Sequence, residues 1–471
     1  MEWERLLCDD RIRPYRGKGS NDLRTEFEKD YHRIIQSASF RRLQDKTQVF
    51  PLDRSDFIRT RLTHSLEVSS YGKSLGQNIA QNIVNVIKDP GFLPEYGADI
   101  CNILQCAGLL HDIGNPPFGH FGETVIRDWF RDNLKRISYR GRPLTEVLLP
   151  QMQADFYAFE GNTQALRLVT KLHYLVDEHG MNLTKALLGT IIKYPVSSLA
   201  IDRGSGNIKT KKMGYFYADR DVFAQVQEAL GTEENRHPLA YILEAADDIA
   251  YLTADIEDAF KKGCLSFPDL LRELRRVRDK ADDAPEFAAL VQRLEEKYEK
   301  ALRRKESSPE AYAVQNWIVQ VQGHLIASAT AGFTGNYRAI MAGMHTRELL
   351  AGTPGELTAR TLGDIACRYA FASRPILKLE IAAEKILNFL LDEFVHAVLY
   401  YDTEERQTAV QEKLIALISE NYRAMYHIYA DGKPDTEKLY LRLLLVTDDI
   451  CGMTDSYAKR LYQELSGQWQ G

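Results

Sequence analysis

Apolar residues recur at three- and four-residue intervals along almost the whole chain, and this restricts it to a helical fold. "SLEVSSYGKSLGQNIAQNIVNVIK", "DICNILQCAGLLHD", "PLAYILEAADDIAYLTADIEDAFKK" and "LEIAAEKILNFLLDEFVHAVLYY" all carry the spacing. It gives each helix one apolar stripe that must be covered by another element. Strand-like alternation is scarce. The Gly-rich exception, "IDRGSGNIKTKKMGYFY" from Ile201 to Tyr217, reads as a short hairpin or a mobile basic loop. The expected class is therefore all-α, with at most a short β-hairpin. With 471 residues, 44% of them hydrophobic, the chain fills one large domain or two ordinary ones. The charged run "RELRRVRDKADDAPEFAALVQRLEEKYEKALRRKESSPEAY" reads as exposed helices bridging to a C-terminal helical part. We place a soft division there, between residues 1–290 and a helical extension, 291–471, packing on the first part.

Charge and cysteine usage exclude several classes. A net charge of -6 argues against a protein devoted to coating nucleic acid, so an anionic partner must meet local positive charge. The N-terminus "MEWERLLCDD" lacks the basic-then-apolar pattern of a signal peptide, and no stretch approaches the roughly 18 apolar residues of a membrane span. A cytoplasmic protein that does not act at a membrane is expected. Cys8, Cys101, Cys106, Cys264, Cys367 and Cys451 form no CxxC pair, which suits scattered reduced thiols.

The stretch "GLLHDIGNPPFGHFGE", Gly108 to Glu123, concentrates the reactive side chains. "ICNILQCAGLL" should end as a helix at "HDIGNPP", leaving His111 and Asp112 at its C-terminal end where the chain turns away. Upstream, "RTRLTHSLEV" puts His64 on another helix. Downstream, "LEAADDIAYLTAD" puts Asp247 and Asp248 on a third, with Asp247, Tyr251 and Asp255 along one stripe at four-residue spacing. Two imidazoles and two carboxylates make a mixed N/O set suited to a divalent cation with open positions for water. A lone helical histidine is more often a hydrogen-bonded core or surface residue, and "HD" alone is as weak. The ordered combination, with the Pro-Gly turn and a further His and Glu, is far more specific.

In this order, "RLTHSLEV", "GLLHDIGNPPFGHFGE", "FEGNTQALR" and "EAADDIAY" resemble the HD-superfamily deoxyguanosinetriphosphate triphosphohydrolases, the dGTPases. The resemblance extends through "SFRRLQDKTQVFPLDRSDFIRTRLTH" and "DICGMTDSYAKRLYQEL", and so over most of the chain. It implies an all-helical HD-domain fold and hydrolysis of dGTP, or of other dNTPs, to the deoxynucleoside and inorganic triphosphate. It implies His64, His111, Asp112 and Asp247 as metal ligands, Asp248 being the lesser candidate of its pair. Manganese or magnesium is favoured; iron, cobalt and zinc are also compatible. Homo-oligomers, often hexamers, and binding of single-stranded DNA are family properties. The basic segment "RIRPYRGKGSNDLR" could serve DNA, phosphate or neither.

The chemistry asks for further groups. Hydrolysis at the α-phosphorus needs a proton donor for the departing 5′-oxygen. His120 and Glu123, three residues apart at the start of "HFGETVIRDWF", match the family's catalytic pair, and the carboxylate can orient the imidazole and raise its pKa. A triphosphate needs local cations. The candidates are Arg61, Lys193 and Lys211 or Lys212, with Lys212 preferred, and Asn162 and Tyr194 as neutral donors. By the resemblance Tyr251 stacks on the deoxyribose and excludes a 2′-hydroxyl, Gln48 and Asp255 bond the 3′-hydroxyl, and Val49 lies under the base. No guanine-reading set stands out. Three readings compete: the metal-dependent dNTP triphosphohydrolase leads, ahead of an HD phosphohydrolase for a cyclic or alarmone nucleotide and a non-catalytic nucleotide- or single-strand-sensing HD protein.

Overall fold

The structure, a computed structural model, describes residues 1–13, 22–50, 57–174, 176–281 and 283–468. It is built from α-helices and short helical turns, and the one sheet among the described residues is an antiparallel hairpin, Ser138–Tyr139 with Arg142–Pro143. The hairpin lies away from the Gly-rich stretch where a strand pair was one of two expectations. Arg140 and Gly141 both take positive φ, 49° and 78°, which supplies the twist of a two-residue turn. Residues 201–217 instead form turns without strands. Asp202 accepts the Gly204 and Ser205 amides through its side chain at 2.9 and 3.1 Å, so local side-chain bonds replace a ladder.

Three helices frame the site. Arg61–Asn82 begins at a reciprocal cap, where Thr60 and Thr63 each accept the other's backbone N–H. Tyr96–Leu110 packs along it at very close range. A Cβ on Gly108 would stand 2.5 Å from Ser69 Cα, a separation only glycine permits. That contact brings the two histidine-bearing turns together. The third helix, Pro238–Lys261, starts with Pro238 in the first turn and His237 as cap. Burial pushes the His237 imidazole down to about 4, so it stays neutral, accepting from Leu239 N–H while its Nε2–H donates to Leu6 carbonyl at 3.0 Å.

The later helices close over this frame. Arg374–Val398 lies against Gly119–Asn133, with Trp129 donating to Asp392 at 2.8 Å. Asp435–Gly452 anchors the helix Gly161–Arg167 through buried Asp448, which accepts from Gln164 and, with both oxygens, from Arg167. One hydrophobic core runs from Trp3 to Leu461. The expected division near 290 falls within the helix Pro285–Arg304. Among the described residues no helix is long and apolar enough to cross a membrane.

Candidate active site and metal centre

The helix Tyr96–Leu110 ends where His111 begins a turn, and the chain then bends through Pro116 and Pro117 into the helix Gly119–Asn133. Phe118 at the bend takes a left-handed φ of 63°. The bend leaves His111 pointing at Asp247 of the third helix, 3.5 Å away, and His64 lies 3.2 Å from the same Oδ1. One ligand atom from each of His64, His111 and Asp247 falls within 4.8 Å of the others.

These atoms are oriented as donors to a cation. His111 Nδ1–H donates to Gly108 carbonyl at 2.8 Å, which turns the Nε2 lone pair inward, and Nε2 is buried without a partner. Burial lowers the His111 pKa and keeps that nitrogen unprotonated. His64 is raised instead, because the hydrogen bond and charge of Asp247 outweigh its burial. Burial also opposes the charge on Asp247, yet Lys193 and the two histidines hold its carboxyl well below the usual range. A second trio, Asp177, Glu178 and His179, is partly exposed on a loop, and Asp177 is already paired with Arg13 at 2.6 Å.

Asp112 stands beside the trio, its Oδ2 3.5 Å from His111 Nε2. Both its oxygens are engaged, one by the Arg61 guanidinium and the other by Asn115 amide at 2.6 Å. Arg61 is thus a buried partner of Asp112. Its guanidinium also lies against Gly119, where a Cβ would meet it at 2.4 Å. Lys193, expected to face phosphate, sits 3.0 Å from Asp247 Oδ2.

On the next turn, His120 Nδ1 is 3.3 Å from Glu123 Oε2. The His120 side chain is 73% exposed and Glu123 only 2%. Glu123 is fixed from behind by Gly161 N–H at 2.8 Å. Its hydrogen bond and its charge raise the His120 pKa. Both residues line a cavity of about 710 Å³ whose wall also carries Arg127, Arg203, Lys211, Lys212 and Arg347. Of these cations, sequence reasoning singled out only the two lysines. Arg127, four residues after Glu123, was detectable as the next position on that helix face; Arg203 and Arg347 come from separate loops and carry no local signal. Lys212 reaches Glu160 at 2.7 Å, and Asn162 donates to the same oxygen at 2.9 Å. Tyr194 is buried, its ring 5.7 Å from the Arg236 guanidinium carbon.

Gln48 Oε1 and Asp255 Oδ1 are both buried without a hydrogen-bond partner. Burial pushes Asp255 up to about 7, with the His64 charge pulling the other way. Val49 is buried, while Tyr251 is half-buried near Asp248, whose charge raises the phenol. Of the basic segment 11–24, residues 14–21 lie outside the described residues.

Comparison with known proteins gives a consistent picture. Residues 61–159 match the HD domain family. The chain is 50% identical to a deoxyguanosinetriphosphate triphosphohydrolase-like protein of Listeria monocytogenes, covering 99% of this chain and 100% of that one. It is 34% identical to a protein of the same description from Synechocystis, over 99% of each chain. It is 32% identical to a deoxyguanosinetriphosphate triphosphohydrolase of Klebsiella pneumoniae, over 96% of each.

Proposed function

The chain belongs to the HD-superfamily deoxyguanosinetriphosphate triphosphohydrolase family, and from that premise we propose that it hydrolyses dGTP, and other dNTPs to some extent, to the deoxynucleoside and inorganic triphosphate. The observation that carries the reading is the inward, unpartnered Nε2 of His111 facing Asp247 beside His64. We assign His64, His111 and Asp247 to a divalent cation, manganese or magnesium, with Asp112 completing the set. When bound there, such a cation neutralises phosphoryl oxygens and lowers the pKa of an attacking water.

The remaining steps belong to side chains. His120, held protonated by Glu123, gives its proton to the departing 5′-oxygen. The cavity cations Arg127, Arg203, Lys211, Lys212 and Arg347 balance the triphosphate, and we assign Lys193, beside Asp247, and the neutral donors Tyr194 and Asn162 to phosphoryl oxygens. Gln48 and Asp255 meet the 3′-hydroxyl; an Asp255 carboxyl poised near neutrality can donate as well as accept. The reading is tested by incubating the protein with dGTP and manganese and identifying the products. Deoxyguanosine with triphosphate supports it; diphosphate, monophosphate or an untouched nucleotide rejects it, and turnover of a cyclic or alarmone nucleotide instead would identify the competing phosphohydrolase.

Sugar selection follows from Tyr251. On the same stripe as Asp247 and Asp255, its ring is assigned to the deoxyribose edge, where it would clash with a 2′-hydroxyl, so GTP is expected to turn over at least about 10²-fold more slowly than dGTP in kcat/KM. Equal turnover of the two nucleotides by the native protein would remove Tyr251 from this role.

A further inference from the structure

The segment "GMTD", Gly452 to Asp455, lies some 330 residues beyond the HD bend in sequence and against it in space. Asp455 opens the helix Asp455–Leu465 and is 1% exposed. Its Oδ1 accepts Phe118 N–H at 2.9 Å. Its Oδ2 accepts Thr47 N–H, also at 2.9 Å, and the Thr47 hydroxyl. Phe118 is the left-handed residue that turns the chain into the His120 helix, and Thr47 precedes Gln48. A second tether runs alongside. Lys46 Nζ, buried, donates at 2.6 Å to Asn115 carbonyl in the bend and at 2.6 Å to Cys451 carbonyl in the helix before Asp455.

We propose that Asp455 is a positioning residue for His120: by accepting Phe118 N–H and Thr47 N–H on its two oxygens, it fixes the bend from which the His120 helix starts and sets the imidazole against the substrate. The assignment rests on the reaction proposed above. A backbone N–H in the left-handed turn has no helical partner of its own, so without the carboxylate it is left buried and unbonded. The two N–H donors arrive from opposite sides of one carboxylate, so an amide in its place satisfies one and repels the other.

Asp455→Asn is therefore expected to lower kcat for dGTP by about 10- to 100-fold, the effect of a small misplacement of a reacting group, with KM changed less than about twofold. The decisive comparison is a double-mutant cycle with His120→Ala. Because Asp455 acts through His120, Asp455→Asn should have almost no further effect on the residual rate of His120→Ala. An equal loss in both backgrounds, or a native kcat in Asp455→Asn, overturns the proposal. Should Asp455→Asn fail to fold, Thr47→Val, which removes only the hydroxyl bond, carries the same cycle with a smaller loss and the same criteria. Amide exchange is read alongside. Residues 116–123 should exchange faster in Asp455→Asn while the helix Pro238–Lys261 keeps its native protection, and unchanged exchange over 116–123 overturns the assignment. This arm needs no substrate, so it judges Asp455 even where the native protein releases no triphosphate, a result that counts against the reaction alone.

Discussion

Replacing Asp247 by alanine is expected to abolish turnover of dGTP and empty the metal site together. The carboxylate has three neighbours within 3.5 Å, His64 and His111 on Oδ1 and Lys193 on Oδ2. Its loss removes the only anionic member of the trio and leaves the Lys193 ammonium buried beside two imidazoles. Two neutral imidazoles beside an unpaired ammonium then face the space, with no anion left in the trio, so manganese affinity should fall by more than the roughly 10- to 100-fold seen when an outer partner of a ligand is removed. Asp247→Asn keeps the shape but not the charge, and its single acceptor oxygen can serve the His64 side or Lys193 but not both, so it should also lose metal, by less than Asp247→Ala. Metal content measured on the purified variants, together with triphosphate release, checks the result. An Asp247→Ala protein with native metal content and native rate would dissolve the proposed centre.

The second large effect belongs to His120. His120→Ala should lower kcat by about 10²- to 10⁴-fold, the range for a lost general acid, with dGTP affinity by calorimetry little changed. The pH profile gives a finer signature. Glu123 raises the His120 pKa through its hydrogen bond and its charge. The working form is the protonated one, so the raised value extends activity towards higher pH, and kcat falls as pH rises through it. Glu123→Gln removes the charge and leaves one acceptor oxygen to share between His120 and Gly161 N–H, so the descending limb of the kcat profile should move to lower pH. A limb that does not move, or moves upward, would detach Glu123 from His120, and a native kcat in His120→Ala would make the pair structural.

What the sequence made legible was whatever is encoded locally. The helix ending at His111, the bend at the Pro-Gly run and the placing of His64 and Asp247 on separate helices all follow from spacing and from turn residues. Of the two readings of residues 201–217, hairpin or loop, the loop is what forms, because Asp202 folds that stretch on itself; the hairpin at Arg140–Gly141 gave no signal because its strands have only two residues each. The pairing of Arg61 with Asp112 and of Lys193 with Asp247 was not legible, since a cation near a triphosphate and a cation holding a ligand carboxylate look alike in one dimension. Arg203, Arg347 and Asp455 were missed for a related reason. Nothing in their own stretches says which distant backbone or cavity they will meet.

The bonds from residues 46 and 47 to residues 451 and 455 span 405 and 408 positions of chain. Closing a loop of that length demands about 5 kcal/mol of chain entropy before any contact repays it, and at roughly 5–20 residues per second the partners are made tens of seconds apart. His64, His111 and Asp247 are therefore synthesised well before Asp455. In the order of synthesis, the contact proposed to set His120 is thus made long after the residues of the proposed metal centre, and the final adjustment of the site waits on the helix Asp455–Leu465.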